Sequence, residues 1–408
     1  MRHPWPVLVA TVAVLLAFAW PVLHIRTEIP GANALPDDSE ARRGYTILQT
    51  RFDAAALSPV QVVVGLEGGG DPFSPAALER LWAYGRALER RPGVARVVSI
   101  VNLPGIDSPQ AAAAFWQAVR RPPQGGGPGA AAAAGQPPLP GLLQGLLGVQ
   151  QREAALRLAR ETTGPGTVLF RVVPEDRPTS PAAQRLARDI LDAGGPPGTR
   201  VWVAGVSITI HDFVHELYDR FPGIIALVLC LTAVVLLLFL RSALLPLKAV
   251  VVNGLSLLAG YGAMVWVFQD GHLEWLFGFT ATGAVDAELP VILFCTVFGV
   301  SMDYEVFLLS RMREEWLRGG DNTRAVARGL ARTGRIVTSA ALMIVVVGMA
   351  FAFTSIIITK AIGVGLAVAV ALDATVVRVL LVPAVMRLLG RWNWWLPGWL
   401  GRRLPEVE

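Results

Sequence analysis

The chain has 408 residues, of which 53% are hydrophobic and 16% are charged, and its formal net charge is +5. This balance excludes an ordinary soluble protein and indicates an integral membrane protein with a sizeable polar domain. The arginines cluster beside apolar stretches instead of forming a basic stripe with interleaved aromatic residues, so the charge does not indicate nucleic-acid binding.

Six apolar stretches reach the roughly 18–20 residues that a membrane helix needs. They lie near residues 6–25, 221–240, 243–268, 289–310, 335–355 and 359–387. The sequence therefore predicts one span, a large domain and five more spans. The predicted limits are a first transmembrane helix at 1–25, the domain at 26–218, a five-helix transmembrane bundle at 219–390 and a tail at 391–408.

The first apolar stretch has two interpretations. Arg2, a short apolar core and Ala17-Phe18-Ala19 resemble a cleavable signal peptide. The apolar run continues to Ile25, which is longer than a usual signal core, so we prefer an uncleaved anchor.

The domain predicted at 26–218 alternates strand-like and helix-like segments. Strands are predicted at 60–64, 94–100, 167–173 and 200–204, and helices at 75–90, 108–120, 141–162 and 181–193. Residues 121–140 are almost entirely Pro, Gly, Ala and Gln, which predicts a flexible insert. The alternation favours an α+β domain of the split βαβ type. The alternative is an α/β enzyme domain, but no phosphate-binding glycine loop, nucleophile elbow or carboxylate pair is evident.

Positive charge in the short loops predicts the orientation, because short loops rich in arginine stay in the cytoplasm. The segment between the fourth and fifth stretches holds seven arginines, and the tail and the connection between the second and third stretches add more. These are Arg311, Arg313, Arg318, Arg324, Arg328, Arg332 and Arg335, then Arg387, Arg391, Arg402 and Arg403, and finally Arg241 and Lys248. We expect both termini in the cytoplasm and the large domain outside the plasma (inner) membrane.

Cysteine and histidine usage predicts neither a disulfide framework nor a metal or cofactor site. Cys230 and Cys295 both lie in apolar runs, so we expect buried free thiols. His211 and His215 share a helical face, but no third ligand is evident.

The fourth apolar stretch carries Asp303, Tyr304 and Glu305 in succession. An ionisable group in hydrocarbon costs several kcal/mol, so it persists only where it pairs, faces a cavity or moves protons. We therefore take Asp303 as the first functional candidate and expect it to be buried. The competing interpretation is a static hydrogen bond or salt bridge between helices.

The sixth stretch carries a second candidate pair, Asp373 and Arg378. Asp303 lies about 14 residues into its stretch and Asp373 about 12 residues after Ala361, which corresponds to similar depths of roughly 20 and 18 Å. Arg378 lies further toward the cytoplasm, where it could pair with Asp373 or with lipid headgroups. A structural pair and direct proton handling both remain open for Asp373.

Several segments resemble signatures of one transporter family. Residues 299–315, GVSMDYEVFLLSRMREE, are similar to the fourth-span signature of the MMPL branch of the resistance–nodulation–division (RND) superfamily. Residues 360–366, 372–378 and 381–384 resemble its sixth-span signature, and Asn393-Trp394-Trp395-Leu396-Pro397 fits the same pattern. The resemblance extends over essentially the whole chain.

The resemblance implies proton-driven export of lipids or other hydrophobic compounds, with Asp303 and Tyr304 as the proton-relay pair. Members usually carry this unit twice, and the chain is similar to a single six-span unit, more like the C-terminal half. We therefore expect a homo-oligomer or a second half-transporter as partner, or a chain that is part of a twelve-span protein, besides lipid cargo and membrane lipids. Two alternatives remain: a non-transporting scaffold or sterol-sensing-like receptor, and a translocation aid for secreted proteins.

Overall fold

The computed structural model describes residues 3–36, 38–52, 56, 58–120 and 149–398. The chain forms two compact units, one of Met1–Tyr45 with Glu216–Glu408 and one of Thr46–His215. Residues 26–45, which the sequence placed with the domain, thus belong to the first unit. The insert predicted at 121–140 lies outside the described residues.

Six helices in the described part of the chain are long and apolar enough to cross a membrane, which confirms the predicted number. In chain order these first to sixth spans are Pro4–His24, Val206–Leu240, Leu244–Gln269, Leu289–Gly319, Asn322–Ala352 and Ile357–Trp394. Several extend beyond their apolar runs because the helix continues into polar residues. The arginine-rich segment, for example, is two helix ends joined at Gly320, whose positive φ of 67° ends one helix before Asp321 caps the next.

Glycines let the spans of the first unit approach closely. A Cβ on Gly262 of the third span would overlap the carbonyl oxygen of Phe18 in the first span. Gly348 and Gly363 meet in the same way between the fifth and sixth spans. Helices in lipid associate by such backbone contact, because apolar side chains gain little by leaving hydrocarbon.

Polar contacts join loops to spans at the end of the bundle where the third span ends. Thr27–Glu28 pairs in parallel with Val285–Asp286, which ties the exit of the first span to the start of the fourth. Lys360 is buried and donates to the carbonyl oxygens of Phe277 and Gly278. Its charge therefore satisfies the C-terminal carbonyls of the short helix Glu274–Phe277.

The opposite end of the bundle is closed by the segment that resembles the family pattern at 393–397. Asn393 is fully buried, and its amide donates to the carbonyl oxygens of Met386 at 2.6 Å and Gly390 at 2.8 Å. The ring of Trp394 stacks on Trp316 of the fourth span with centroids 5.2 Å apart. The last residues of the sixth span are thus held by their own span and packed against the end of the fourth span.

The second unit contains an antiparallel sheet with strand order Val94–Val98, Thr167–Pro174, Val60–Leu66, Thr199–Ala204. The helix Pro75–Glu89 connects Val60–Leu66 to Val94–Val98, and Thr167–Pro174 lies between these two strands. This arrangement confirms the predicted split βαβ topology.

The remaining described helices of this unit are Glu40–Arg51, which extends from the first unit, Pro109–Arg120, Val149–Thr162 and Pro181–Ala193. Ser74 and Ser180 each cap a helix that begins with proline, and their side-chain oxygens accept from Ala77 and Ala183. Alternate residues of Val60–Leu66 point into a core that the helices cover. The helix at Glu40–Arg51 was not predicted.

The expectation of buried thiols is wrong. Cys230 and Cys295 are free, but both are exposed on the outside of the bundle. An apolar run contains residues that face lipid as well as residues that face protein, and hydropathy does not separate the two.

We predict that Gly262→Ala destabilises the first unit by about 1–3 kcal/mol. The added methyl group would overlap the backbone of Phe18, which cannot move aside by changing rotamer as a side chain can. Gly254→Ala on the same span is the matched control, since a Cβ there has no neighbour within 4 Å. The control should be neutral or stabilising by up to about 1 kcal/mol from helix propensity. Thermal unfolding of the detergent-solubilised variants measures the difference, and equal effects at both glycines would contradict close packing of the first and third spans.

Candidate functional site

Buried polar side chains meet where the third, fourth and sixth spans pack together. We call this group the intramembrane cluster; it comprises Lys248, Asn253, Ser256, Ser301, Glu305, Asp373 and Arg378. Unpaired polar groups in hydrocarbon are costly, so the contacts within this group account for its persistence in apolar helices.

An ion pair between Asp373 and Arg378 forms the centre of the intramembrane cluster. Nε and Nη2 of Arg378 donate to Oδ2 of Asp373 at 2.9 and 2.7 Å. Nη2 also donates to the carbonyl oxygen of Ser301 at 2.9 Å, and the Ser256 hydroxyl lies 3.4 Å from the other carboxylate oxygen. Of the two partners that the sequence left open for Arg378, the structure shows Asp373.

A local widening of the sixth span makes this pair possible. In an α-helix, residues five apart are about 140° apart around the axis, which would separate these side chains. The segment Asp373–Leu381 is π-helical, and the N–H group of Val382 donates to the carbonyl of Val377, five residues earlier. Pro383 gives a local reason, because proline lacks an N–H group and its ring clashes with the carbonyl four residues before it.

Tyr304 links the ion pair to the outside of the fourth span. The Arg378 guanidinium carbon lies 4.8 Å from the centre of the Tyr304 ring, which is a cation–π contact. The neighbouring Asp303 is exposed on the outer face of the bundle. The expectation that Asp303 is buried is therefore not met within this six-span chain, because that face of the fourth span is covered by no other described helix.

Glu305 points the other way, into the intramembrane cluster. Its Oε2 accepts from the Asn253 amide at 2.8 Å, and its Oε1 lies 3.8 Å from Nζ of Lys248. Both charged side chains are almost completely buried. Sequence reasoning missed this pair and counted Lys248 as a loop charge, although Lys248 lies inside the third span.

A signal for the missed residues was present in the sequence. Asn253 and Ser256 are three residues apart and so share one face of an apolar helix. Lys248 lies near the start of the same apolar run. Glu305 is two residues from Asp303 and points about 200° away from it. A polar face on the third span and an acid on the inner face of the fourth together predict a contact.

An apolar cavity of about 580 Å³ lies in the same unit, away from the charges. The first, third, fifth and sixth spans line it together with Leu273 and Phe277 from the linker between the third and fourth spans. Its volume is within the range of small-molecule pockets, and its lining suits a hydrocarbon chain.

Comparisons with known proteins place the chain in a family. The sequence profile of the MMPL family matches residues 167–406. The chain is 32% identical over 408 residues to the mycolic acid-containing lipids exporter MmpL11 of Mycolicibacterium smegmatis, with 100% of this chain and 37% of that protein covered. It is 33% identical over 409 residues to the heme uptake protein MmpL11 of Mycobacterium tuberculosis, with coverage of 100% and 36%.

Over a shorter range of 215 residues, the chain is 40% identical to the trehalose monomycolate exporter MmpL3 of M. smegmatis. This match covers 52% of this chain and 21% of that protein. The chain thus spans a little more than a third of the length of the MmpL11 relatives. The profile match extends over more than half of the chain, and it includes the second to sixth spans. The chain therefore belongs to the MMPL family.

Proposed function

We propose that this chain is a six-span unit of an exporter that moves lipids or other hydrophobic compounds across the plasma membrane and uses protons as its energy source. The observation that carries the proposal is the position of Asp303 next to Tyr304, whose ring contacts the guanidinium of the Asp373–Arg378 pair, so that these groups extend from the outer face of the bundle to its interior. Acidic and phenolic groups at membrane depth are costly, and proton transfer is a function that requires them.

In this mechanism Asp303 gains and loses a proton on the outer face of the fourth span. The Tyr304 hydroxyl can donate a hydrogen bond to a charged carboxylate. The Tyr304 ring also contacts the guanidinium that holds Asp373. A change of charge at Asp303 therefore alters the electrostatic environment of the Asp373–Arg378 pair, which supports a relay role for Asp373 with Arg378 as the cation that pairs with it.

Energetics limit how a lipid cargo can travel. A proton that crosses 100 mV supplies about 2.3 kcal/mol. Moving a sixteen-carbon chain fully into water costs on the order of 12 kcal/mol at ~0.8 kcal/mol per methylene. The cargo chain must therefore stay in contact with apolar protein surface, and the 580 Å³ cavity of the first unit offers such a surface.

The names of the relatives support a hydrophobic cargo. Two of them are named as exporters of mycolic acid-containing lipids and of trehalose monomycolate, and a third is named for heme uptake. A hydrophobic compound is what these three names share.

The position of Asp303 supports a partner unit in the membrane. A carboxylate that faces lipid is costly, and a second six-span unit against this face would remove it from lipid. Gly299 and Cys295 lie one and two turns before Asp303 and are exposed on the same face. A Cβ on Gly299 has no neighbour within 4 Å, so this glycine leaves room for the close approach of another helix. A second copy of this chain would bring equivalent residues together across a twofold axis.

We predict that Asp303→Asn lowers proton-coupled transport by roughly 100-fold or more, because the amide cannot carry the proton. The protein is reconstituted in phosphatidylethanolamine–phosphatidylglycerol liposomes with trapped pyranine and an NBD-labelled phospholipid, and proton uptake and lipid movement are followed under a pH gradient. Thr338→Val is the matched control, since Thr338 is exposed and its hydroxyl donates to the carbonyl of Gly334 in its own helix. Full activity of correctly inserted Asp303→Asn would show that the proton does not use this residue.

We predict that native Cys295 forms an intermolecular cross-link with a short bis-maleimide in membranes. If a second copy covers the face that holds Asp303, two Cys295 residues lie close to the twofold axis. Cys295→Ser should abolish the cross-linked dimer, whereas Cys230→Ser should leave it unchanged. A dimer that persists in Cys295→Ser, or no dimer from the native protein, would contradict the homo-oligomer and favour a different half-transporter as the partner.

We predict that the Thr46–His215 unit lies outside the membrane and the turn between the fourth and fifth spans lies inside, as the arginine distribution indicates. In a Cys230→Ala/Cys295→Ala background, Glu79→Cys should react with a membrane-impermeant maleimide in intact cells. Arg324→Cys, at a mostly exposed side chain, should react only after permeabilisation. The reverse pattern would invert the proposed orientation.

A further inference from the structure

The proposed relay accounts for Asp303, Tyr304, Asp373 and Arg378, but it leaves a second pair of buried charges without a role. Glu305 and Lys248 lie between the Asp373–Arg378 pair and the end of the bundle at which the third span begins. We propose that Glu305, held by Lys248 and Asn253, is a second proton-carrying site that receives the proton from Asp373. This inference rests on the proposed function and names a further residue for it.

The geometry of the pair differs from that of a purely structural salt bridge. Lys248 Nζ and Glu305 Oε1 are 3.8 Å apart, which is too long for a hydrogen bond. Neither atom has another hydrogen-bond partner among the described residues, whereas Glu305 Oε2 accepts from Asn253 at 2.8 Å. A buried ion pair repays its desolvation only with close, fully hydrogen-bonded geometry. One carboxylate oxygen is thus fixed, and the other is held near a cation and free to bind a proton.

A small cavity connects this site to the Asp373–Arg378 pair. Glu305, Asn253, Asp373 and Arg378 all line it, and it has room for about one water molecule. A water needs two to four polar partners, and the amide, the guanidinium and the two carboxylates supply them. Nη1 of Arg378 has no partner among the described residues, which leaves one more donor for that water.

The transfer step balances without any other reactant. The O–H bond of protonated Asp373 breaks as the water oxygen takes the proton, and the same water gives one of its own protons to Oε1 of Glu305. Asp373 becomes a carboxylate again and pairs with Arg378. Glu305 becomes a neutral acid and later releases its proton to water at the end of the bundle where the third span begins. The charged groups that face Glu305 are Lys248 from the third span and Asp373 and Arg378 from the sixth, while Tyr304 is its neighbour on the fourth.

The test removes both charges of the pair at once. Glu305→Gln alone leaves Lys248 buried without a counter-ion and would destabilise the protein, whereas Lys248→Met/Glu305→Gln replaces a buried ion pair with neutral groups, which proteins usually tolerate. The double variant should insert and unfold like the native protein, yet its proton uptake in pyranine-loaded phosphatidylethanolamine–phosphatidylglycerol liposomes should fall roughly tenfold or more. Native rates in the double variant would overturn the inference and leave the pair with a structural role.

A second measurement keeps the inference testable if the double variant fails to insert. Infrared difference spectra of the native protein on acidification should contain a protonated-carboxyl band that changes frequency in Glu305→Asp, which keeps the charge. A band that is the same in both proteins overturns the inference. Asp303→Asn in the same transport assay separates the two proposals: an active Asp303→Asn variant contradicts the proposed function, whereas an inactive one together with an active double variant contradicts only the role of Glu305.

Discussion

The bundle depends on one buried ion pair, Asp373 with Arg378, because three spans make contact through it. The Arg378 guanidinium donates to the Asp373 carboxylate on its own helix and to the Ser301 carbonyl of the fourth span. It also makes a cation–π contact with the ring of Tyr304. Ser256 brings the third span to the other carboxylate oxygen. Removing one partner of such a pair costs about 3–5 kcal/mol, since the remaining charge stays buried. The same contacts that stabilise the helices therefore also connect Asp373, Arg378 and Tyr304 of the proposed relay, whereas Asp303 lies outside them on the exposed face.

The two neighbouring acids of the fourth span differ because they lie on opposite faces of the helix. Glu305 faces the third and sixth spans and has protein partners for its charge. Asp303 faces away from them and has Gly299 and Cys295 beside it. In the proposed function a second six-span unit covers this face. In the two proposals, Asp303 therefore acts at an interface between units and Glu305 acts inside the bundle.

Much of the fold could be predicted because it follows from hydrophobic pattern. The six spans follow from apolar length, and the strands and helices of the second unit follow from alternation, proline and serine caps. The pattern fails where lipid and protein interior are equally apolar, since it cannot tell which face of a span is buried. For that reason Cys295 and Asp303 were expected inside. Lys248 was assigned to a loop for a different reason, because a lysine near the start of an apolar stretch was counted among its flanking charges. The Asp373–Arg378 contact could be proposed from proximity, but its geometry needs a π-helical turn that α-helical periodicity does not describe.

One consequence concerns the membrane potential. The four charges of the intramembrane cluster, two positive and two negative, sum to zero when both pairs are ionised. An electric field exerts no net force on a neutral group of charges, so the voltage does not pull on this part of the bundle in that state. A single bound proton gives the group one positive charge, and the field then acts on it. In the proposed relay, the membrane field would therefore act on these helices only while a proton is bound to the cluster.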